Sequence, residues 1–262
     1  MHRRDVQLNV PTKIKMSNDD FMDKALARDE NTIRDMFSCA APRYDFLNHL
    51  LSFSLDKLWR RTMVQKSRFQ EFGDDVQVLD LCTGTGDVLF EFLKNPSFKG
   101  KTVGLDFSSQ MLEIANEKAK KLGVSDRVEF IEANALHTPF KNETFDIITI
   151  TWGLRNLSDL QLGVQEIYRI LKRGGRFLSL EFFRHDDGLS KSISSWYISH
   201  VIPFIGRIFS ASSAYTYLAE SREKFITADD YSKMLLKTGF INVSYKHFIF
   251  QVNTIHMGDK PR

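Results

Sequence analysis

Cysteine is nearly absent from this sequence. Its two residues, Cys39 and Cys82, cannot build a disulfide framework, and Cys82 closes an apolar stretch that reads as a strand. A reducing cytoplasm is the expected location. Long hydrophobic runs are missing too: none approaches the roughly 20 residues that span a bilayer. The opening MHRRDVQLNVPTK lacks the apolar core of a secretory leader, and early acidic residues fit a transit peptide poorly. Neither sign of charge dominates, since 36 Lys and Arg face 33 Asp and Glu for a net +3. That bias is too mild to call for nucleic acid. Histidines and cysteines are scattered without ligand spacing, which argues against a metal site. No local Ser-His-Asp pattern, repeat or low-complexity tract is visible.

What remains is a chain of 262 residues, 42% hydrophobic, suited to one large α/β domain with additions. Its organising stretch is VLDLCTGTGD, residues 78–87. Val76 to Cys82 reads as a buried parallel strand, and Asp87 to Lys94 has the apolar spacing of a helix. The glycine turn between them presents backbone N–H groups at a helix N-terminus, and Gly84 and Gly86 carry no side chain to block a ligand. Further strands are expected over 101–107, 127–133, 145–151 and 176–183, with helices over 108–122 (capped by Ser108), 158–172 (closed by Gly174 and Gly175) and 227–237. Two last strands close the sheet as a hairpin. Such alternation means a doubly wound, mostly parallel sheet, with ligands beyond the strands' carboxyl ends. Gly84, Asp106, Asn134 and Thr151 stand at such ends and should line one crevice.

Before the glycine turn, residues 1–18 read as a polar arm and 18–37 as one surface helix. Residues 41–65 carry more apolar side chains than a solvated helix needs, which fits a helical flap over the turn or ordinary packing. The expected division is an arm and helix over 1–40 and a catalytic domain over 41–262. A helical substrate lid is inserted around 186–226, and its aromatic stretch, 194–209, has no place in the sheet.

Asp106 follows Gly86 at the interval at which an acid meets a ribose in nucleotide-binding folds. A nicotinamide enzyme would want a third glycine near position 89, where Leu89 stands, and Asp87 would oppose a pyrophosphate. A sulfonium nucleoside has no phosphate and welcomes Asp80 and Asp87. S-adenosylmethionine is therefore preferred to NAD.

From Phe37 to Lys260 the chain resembles the C-methyltransferases of menaquinone and ubiquinone biosynthesis. The resemblance rests on APRYDFLNHLLSFSLDKLWRR, VLDLCTGTGD, GLDFSSQML, ANALHTPF, FDIITITWGLRN, YRILKRGGRFLSLEF and AYTYLAES, with HMGDK near the end. It implies a class I methyltransferase fold, a seven-stranded sheet whose last strand is antiparallel. It also implies methyl transfer to a ring carbon of a prenylated quinol, a demethylmenaquinol first and the benzoquinol precursor of ubiquinone as the alternative. By motif position it makes Thr85, Asp106, Asn134, Ala135 and Thr151 cofactor contacts, beside the Asp80, Gly84 and Gly86 of the turn. Trp152, where the family more often has Phe, the ending FIFQVNTIHMGDK and the substrate loop before it depart from its pattern.

The chemistry asks for a quinol oxygen made anionic near pH 7, although phenols ionise near pH 10. Arg155 directly follows the fourth strand and suits an electrostatic stabiliser of that oxygen, with water taking the proton and Asn156 holding the water. A structural salt bridge from Arg155 to an acid such as Asp45 is the competing reading. Tyr44, Asp45 and Tyr215 are substrate-side candidates, and His49 a further one. Peripheral contact with the inner face of the membrane is expected because the substrate is a lipid. A homodimer stays open. The rival classes are a methyltransferase for another phenol or lipid head group, and a non-catalytic nucleotide-binding scaffold.

Overall fold

The computed structural model describes residues 18–184, 212–248 and 253–262. The polar arm, the aromatic stretch 194–209, most of the expected lid, the 249–252 connection and the Tyr215 side chain lie outside the described residues.

Seven strands form one sheet in the order β3-β2-β1-β4-β5-β7-β6. They are β1 (Gln77–Leu81), β2 (Lys101–Asp106), β3 (Val128–Glu132), β4 (Phe145–Thr151), β5 (Leu171–Glu181), β6 (Ile241–His247) and β7 (Thr254–Asp259). β1 to β5 pair in parallel, and β7 slots between β5 and β6, antiparallel to both. The hairpin expected at the end is present, with its second strand inside the sheet.

Both faces of the sheet's centre are covered, which is why β1 and β4 are buried almost throughout, whereas no residue of the outer strands β3 and β6 is buried. Leu79, Ile148 and Phe177 pack with Val164, Ile167, Tyr231 and Leu235 on one face. Their strand neighbours Val78, Ile147 and Leu178 pack with Trp59, Met63, Leu89 and Phe92 on the other. Each such buried side chain contributes about 1.5–3 kcal/mol. The helices that carry them are α3 (Leu55–Ser67), α4 (Asp87–Leu93), α6 (Leu160–Ile170) and α8 (Ala228–Thr238). α5 (Ser109–Leu122) and α7 (Ser212–Glu223) complete the layers after the glycine turn. Ser108 caps α5 as expected, accepting from the Met111 N–H, and Thr227 caps α8 through the Asp230 N–H.

Three local expectations need correction. The single helix over 18–37 is two, α1 (Asn18–Leu26) and α2 (Glu30–Leu51), broken where Arg28 turns left-handed and Asp29 caps α2 through the Thr32 N–H. α2 then runs unbroken across residue 40, with Pro42 inside it. The proline is exposed, so its ring meets solvent and the helix forfeits one hydrogen bond without ending. Third, Gly174 and Gly175 do not close α6. That helix starts after Asp159 and stops at Ile170, and the chain passes straight into β5, whose register with β4 breaks between Leu171 and Arg176. Gly174 takes φ +74 in this irregularity, a conformation that costs glycine little.

Candidate active site

The carboxyl ends of β1, β2, β3 and β4 open into a crevice. Leu105, Asp106, Phe107, Ala133, Asn134, Ala135, Leu136 and Leu157 form most of its wall, with Cys82, Glu30, Asn156 and Ser158 at its edges. The residues that follow β1 and β4 are left-handed, Cys82 at φ +53 and Trp152 at φ +56. These sparsely populated conformations cost about 1–3 kcal/mol each. Gly153 is needed there, because an added Cβ would come within 2.6 Å of the Cys82 Cβ.

Of the cofactor contacts read from sequence, Asp106, Asn134 and Ala135 line the crevice. The Asp106 Oδ2 accepts the Gly84 N–H at 2.8 Å, and its Oδ1 accepts the Ser108 N–H at 3.0 Å. The carboxylate thus clamps the glycine turn and keeps lone pairs for a ligand. Asn134 donates to Glu30 of α2 at 3.1 and 3.2 Å and accepts the Leu136 N–H at 2.9 Å. Asp80 lies beneath the turn, accepting from Thr83 at 2.7 Å and Thr149 at 2.6 Å. The Thr151 hydroxyl turns toward Met63 of α3, at 3.5 Å from its sulfur, and is absent from the crevice wall.

α2 forms the roof. Its first residue, Glu30, also accepts from Ser158 at 3.0 Å on the crevice rim. About four turns later, the Tyr44 ring lies 3.9 Å from where a Gly84 Cβ would be. Asp45 accepts from Thr85 at 2.5 Å and from Lys118 at 2.9 Å, and Lys118 reaches on to Asp87. Tyr44, Asp45 and Thr85 are therefore brought together as the flap reading requires. Sequence reasoning missed Glu30, Lys118 and Cys82. Cys82 was visible as the last residue before the turn, whereas nothing local marked Glu30 or Lys118.

Arg155 and Asn156 sit in a short 3-10 turn, Leu154–Asn156, after β4. Asn156 reaches the crevice, and its Oδ1 accepts the Tyr217 hydroxyl of α7 at 2.9 Å. Tyr217 was also missed, two residues from the chosen Tyr215. Arg155 is only 4% exposed and does form a salt bridge, but with Glu181 rather than Asp45. Its Nε donates to Glu181 Oε1 at 2.7 Å and its Nη1 to Ser221 Oγ at 3.0 Å.

Burial pushes the Asp80 carboxyl up to about 7, against the two threonine hydroxyls. Burial likewise pushes Asp106 up to about 6, against the N–H groups of Ser108, Gly84 and Phe107. Two buried carboxyls beside an apolar slot are a donor set that fits a cationic nucleoside: ribose hydroxyls for Asp106, a sulfonium for the field of Asp80. Because both folded values exceed the unfolded ones, these groups favour the empty fold below about pH 4 and oppose it as pH rises through 6–7. A cation and hydroxyl donors favour the ionised forms. S-adenosylmethionine binding is therefore expected to strengthen from pH 5 to 8 and to release protons. Calorimetry at pH 6.5 in two buffers of different ionisation enthalpy checks this; no proton release would refute it.

A sheet of this order, with a glycine turn and an acidic strand end flanking an apolar crevice, defines a class I S-adenosylmethionine-dependent methyltransferase. The chain belongs to the ubiE/COQ5 methyltransferase family, whose profile matches residues 25–260. It is 38% identical over 232 residues to a demethylmenaquinone methyltransferase of Lactiplantibacillus plantarum, covering 88% of this chain and 96% of that one. With the demethylmenaquinone methyltransferase of Thermus thermophilus it shares 41%, over 86% of this chain and all of the relative. With a ubiquinone/menaquinone biosynthesis C-methyltransferase of Geobacter sulfurreducens it shares 40%, over 87% and 88% of the two chains. Among solved structures, a phosphoethanolamine N-methyltransferase of Haemonchus contortus, in complex with S-adenosylhomocysteine, superposes with a TM-score of 0.61 at 17% identity. That match covers 94% of this chain and 61% of the other and speaks for the fold alone.

Proposed function

We propose that this protein methylates a ring carbon of a prenylated quinol, converting a demethylmenaquinol to the menaquinol. The observation that carries the reading is the near full-length identity of 38–41% to demethylmenaquinone methyltransferases. The benzoquinol precursor of ubiquinone is the second reading, because a relative at 40% identity carries the joint ubiquinone/menaquinone name. S-adenosylmethionine supplies an activated methyl group; the chain supplies binding and an ionised quinol. Asp106, Asn134 and Ala135 would hold the nucleoside, and the glycine turn with Asp80 the amino-acid end. Arg155, kept in place by Glu181, favours negative charge on the quinol oxygen, and Asn156, oriented by Tyr217, holds the water or hydroxyl beside it. Tyr44 and Asp45, with Tyr215 by motif position, are the substrate-side residues of this reading. The 186–226 segment acts as a lid; Tyr217 and Ser221, at its end, contact Asn156 and Arg155. Transfer of a labelled methyl to demethylmenaquinol, and to the demethylated benzoquinol in parallel, tests the reading; no transfer to either overturns it.

No helix among the described residues is long and apolar enough to cross a membrane. A lipid substrate is instead taken from the bilayer surface, and the turn from α2 to α3 suits that contact. Phe46, Leu50, Phe53 and Leu58 are exposed there, Phe53 by 73% and Leu58 by 52%, beside the exposed Arg43 and Lys57. Each CH₂ of a prenyl tail buried at such a surface is worth about 0.8 kcal/mol. Phe53→Ser with Leu58→Ser is expected to raise KM about tenfold for a long-tailed quinol in anionic vesicles and little for a tail-less analogue. Equal effects on the two substrates would refute membrane delivery through this turn.

A further inference from the structure

Quinol ionisation needs a proton acceptor, and the groups already placed in the site are committed elsewhere, Asp106 and Asp80 to the cofactor in the reading above. A guanidinium does not take a proton. Asp106 is clamped by two N–H donors, Asp80 by two hydroxyls and Glu181 by Arg155. The Tyr217 hydroxyl donates to Asn156.

His49 is different. It lies one turn beyond Asp45 on α2 and five residues from Tyr44, both of which rest on the glycine turn. Its Nδ1 is 2.6 Å from Asp56 Oδ2 of α3. Asp56 is fully buried and also accepts from Ser52 at 2.8 Å and from Arg60. Burial alone would raise the Asp56 carboxyl, but Arg60, Ser52 and His49 together hold it below the usual range. An ionised carboxylate only accepts, so the short contact requires the proton on Nδ1. In the neutral ring Nε2 then carries a bare lone pair. The side chain is 30% exposed, which leaves a route by which a proton can pass on to water.

Further charged groups lie around the ring. Asp87 of α4 lies within electrostatic reach of His49 and binds Arg60 and Lys118. Arg60 in turn stacks on Trp152, with its guanidinium carbon 5.1 Å from the ring centre, and Trp152 leads through Gly153 and Leu154 to Arg155. The charged groups around the ring are thus Asp56 and Arg60 on α3, Asp87 on α4, Lys118 on α5, and Asp45 on its own helix. One chain of contacts links His49 above the glycine turn to the strand end that carries Arg155.

We propose that His49, oriented by Asp56, is the base that takes the quinol hydroxyl proton. The O–H bond breaks, an N–H bond forms at Nε2, and the electron pair stays on oxygen in conjugation with the ring carbon to be methylated. The resulting imidazolium is balanced by Asp56, while Arg155 faces the new oxyanion from the β4 side. This rests on the quinol reading given above.

His49→Asn retains an N–H for Asp56 but has no basic lone pair. It is expected to lower kcat by about 10²-fold or more and to remove the acid limb of the kcat–pH profile, so that the residual rate climbs with hydroxide. Calorimetric affinity for S-adenosylmethionine stays within about twofold. Nitrogen-15 NMR of the wild-type ring is expected to show the Nδ1–H tautomer, a readout that needs neither turnover nor a folded variant. An acid limb and kcat unchanged in His49→Asn, or a neutral wild-type ring protonated on Nε2, overturns the proposal. A wild type that methylates neither quinol overturns the functional reading instead.

Discussion

Arg155→Ala is expected to cost both stability and rate, and the two losses are separable. The substitution leaves Glu181, fully buried, without its counter-charge. Removing one partner of a buried ion pair costs about 3–5 kcal/mol. Burial already pushes the Glu181 carboxyl up; Arg155 and the N–H groups of Phe182, Arg155 and Leu154 act against it. Without Arg155 the carboxyl would rise further and take up a proton. The rate should fall by about 10²–10³, the scale for losing one donor to an oxyanion. Adding Glu181→Gln removes the stranded charge. The double variant Arg155→Ala/Glu181→Gln should therefore recover most of the stability in urea unfolding and none of the rate. Arg155→Lys should recover only part of the rate, since an ammonium lacks the planar fork that spans Glu181 and Ser221. If the double variant regains wild-type turnover, Arg155 is a strut and the oxyanion argument falls.

This ion pair also shows where sequence reasoning stops. Arg155 was found because it follows a strand end, a position that local pattern reveals. The competing salt bridge, to an acid such as Asp45, has Glu181 as its actual partner, because pairing across 26 residues depends on β4 and β5 lying side by side in register. The sheet was legible for the same local reason: short β-branched runs such as FDIITIT, mostly alternating with amphipathic helices, leave little topological choice. The long roof helix was not, because Pro42 is a breaker by the usual rule and nothing in one sequence says that its ring meets solvent. Thr151 illustrates a third limit. β4 ends at Thr151 as expected, but side chains alternate along a strand, and one sequence does not say which face the last one takes; the hydroxyl turns to Met63. Tyr217 was missed for want of the register that places α7 against Asn156, while Tyr215, two positions away, was picked from the same motif.

Asp106→Ala is expected to weaken S-adenosylmethionine binding by about 2–4 kcal/mol, or roughly 30- to 1,000-fold, through two lost charge-assisted hydrogen bonds. Asp106 stands in the crevice wall at the end of β2, with each oxygen already fixed by one backbone N–H and its remaining lone pairs directed by that clamp. Asp106→Asn keeps one carbonyl acceptor and should fall between. It also replaces an ionisable group that burial holds near pH 6, so the pH dependence of binding should flatten in the lower half of its range. The nature of the lost contact can be read from the product. S-adenosylhomocysteine has the same ribose but no sulfonium charge, so Asp106→Ala should weaken both ligands about equally. Asp80→Asn should weaken S-adenosylmethionine more, because Asp80 has both oxygens taken by Thr83 and Thr149 and acts through its charge alone. Isothermal titration of the two ligands against the folded variants decides it. Unchanged affinity in Asp106→Ala removes Asp106 from the ribose. Equal losses of both ligands in Asp80→Asn would mean that Asp80 supports the turn rather than the cation.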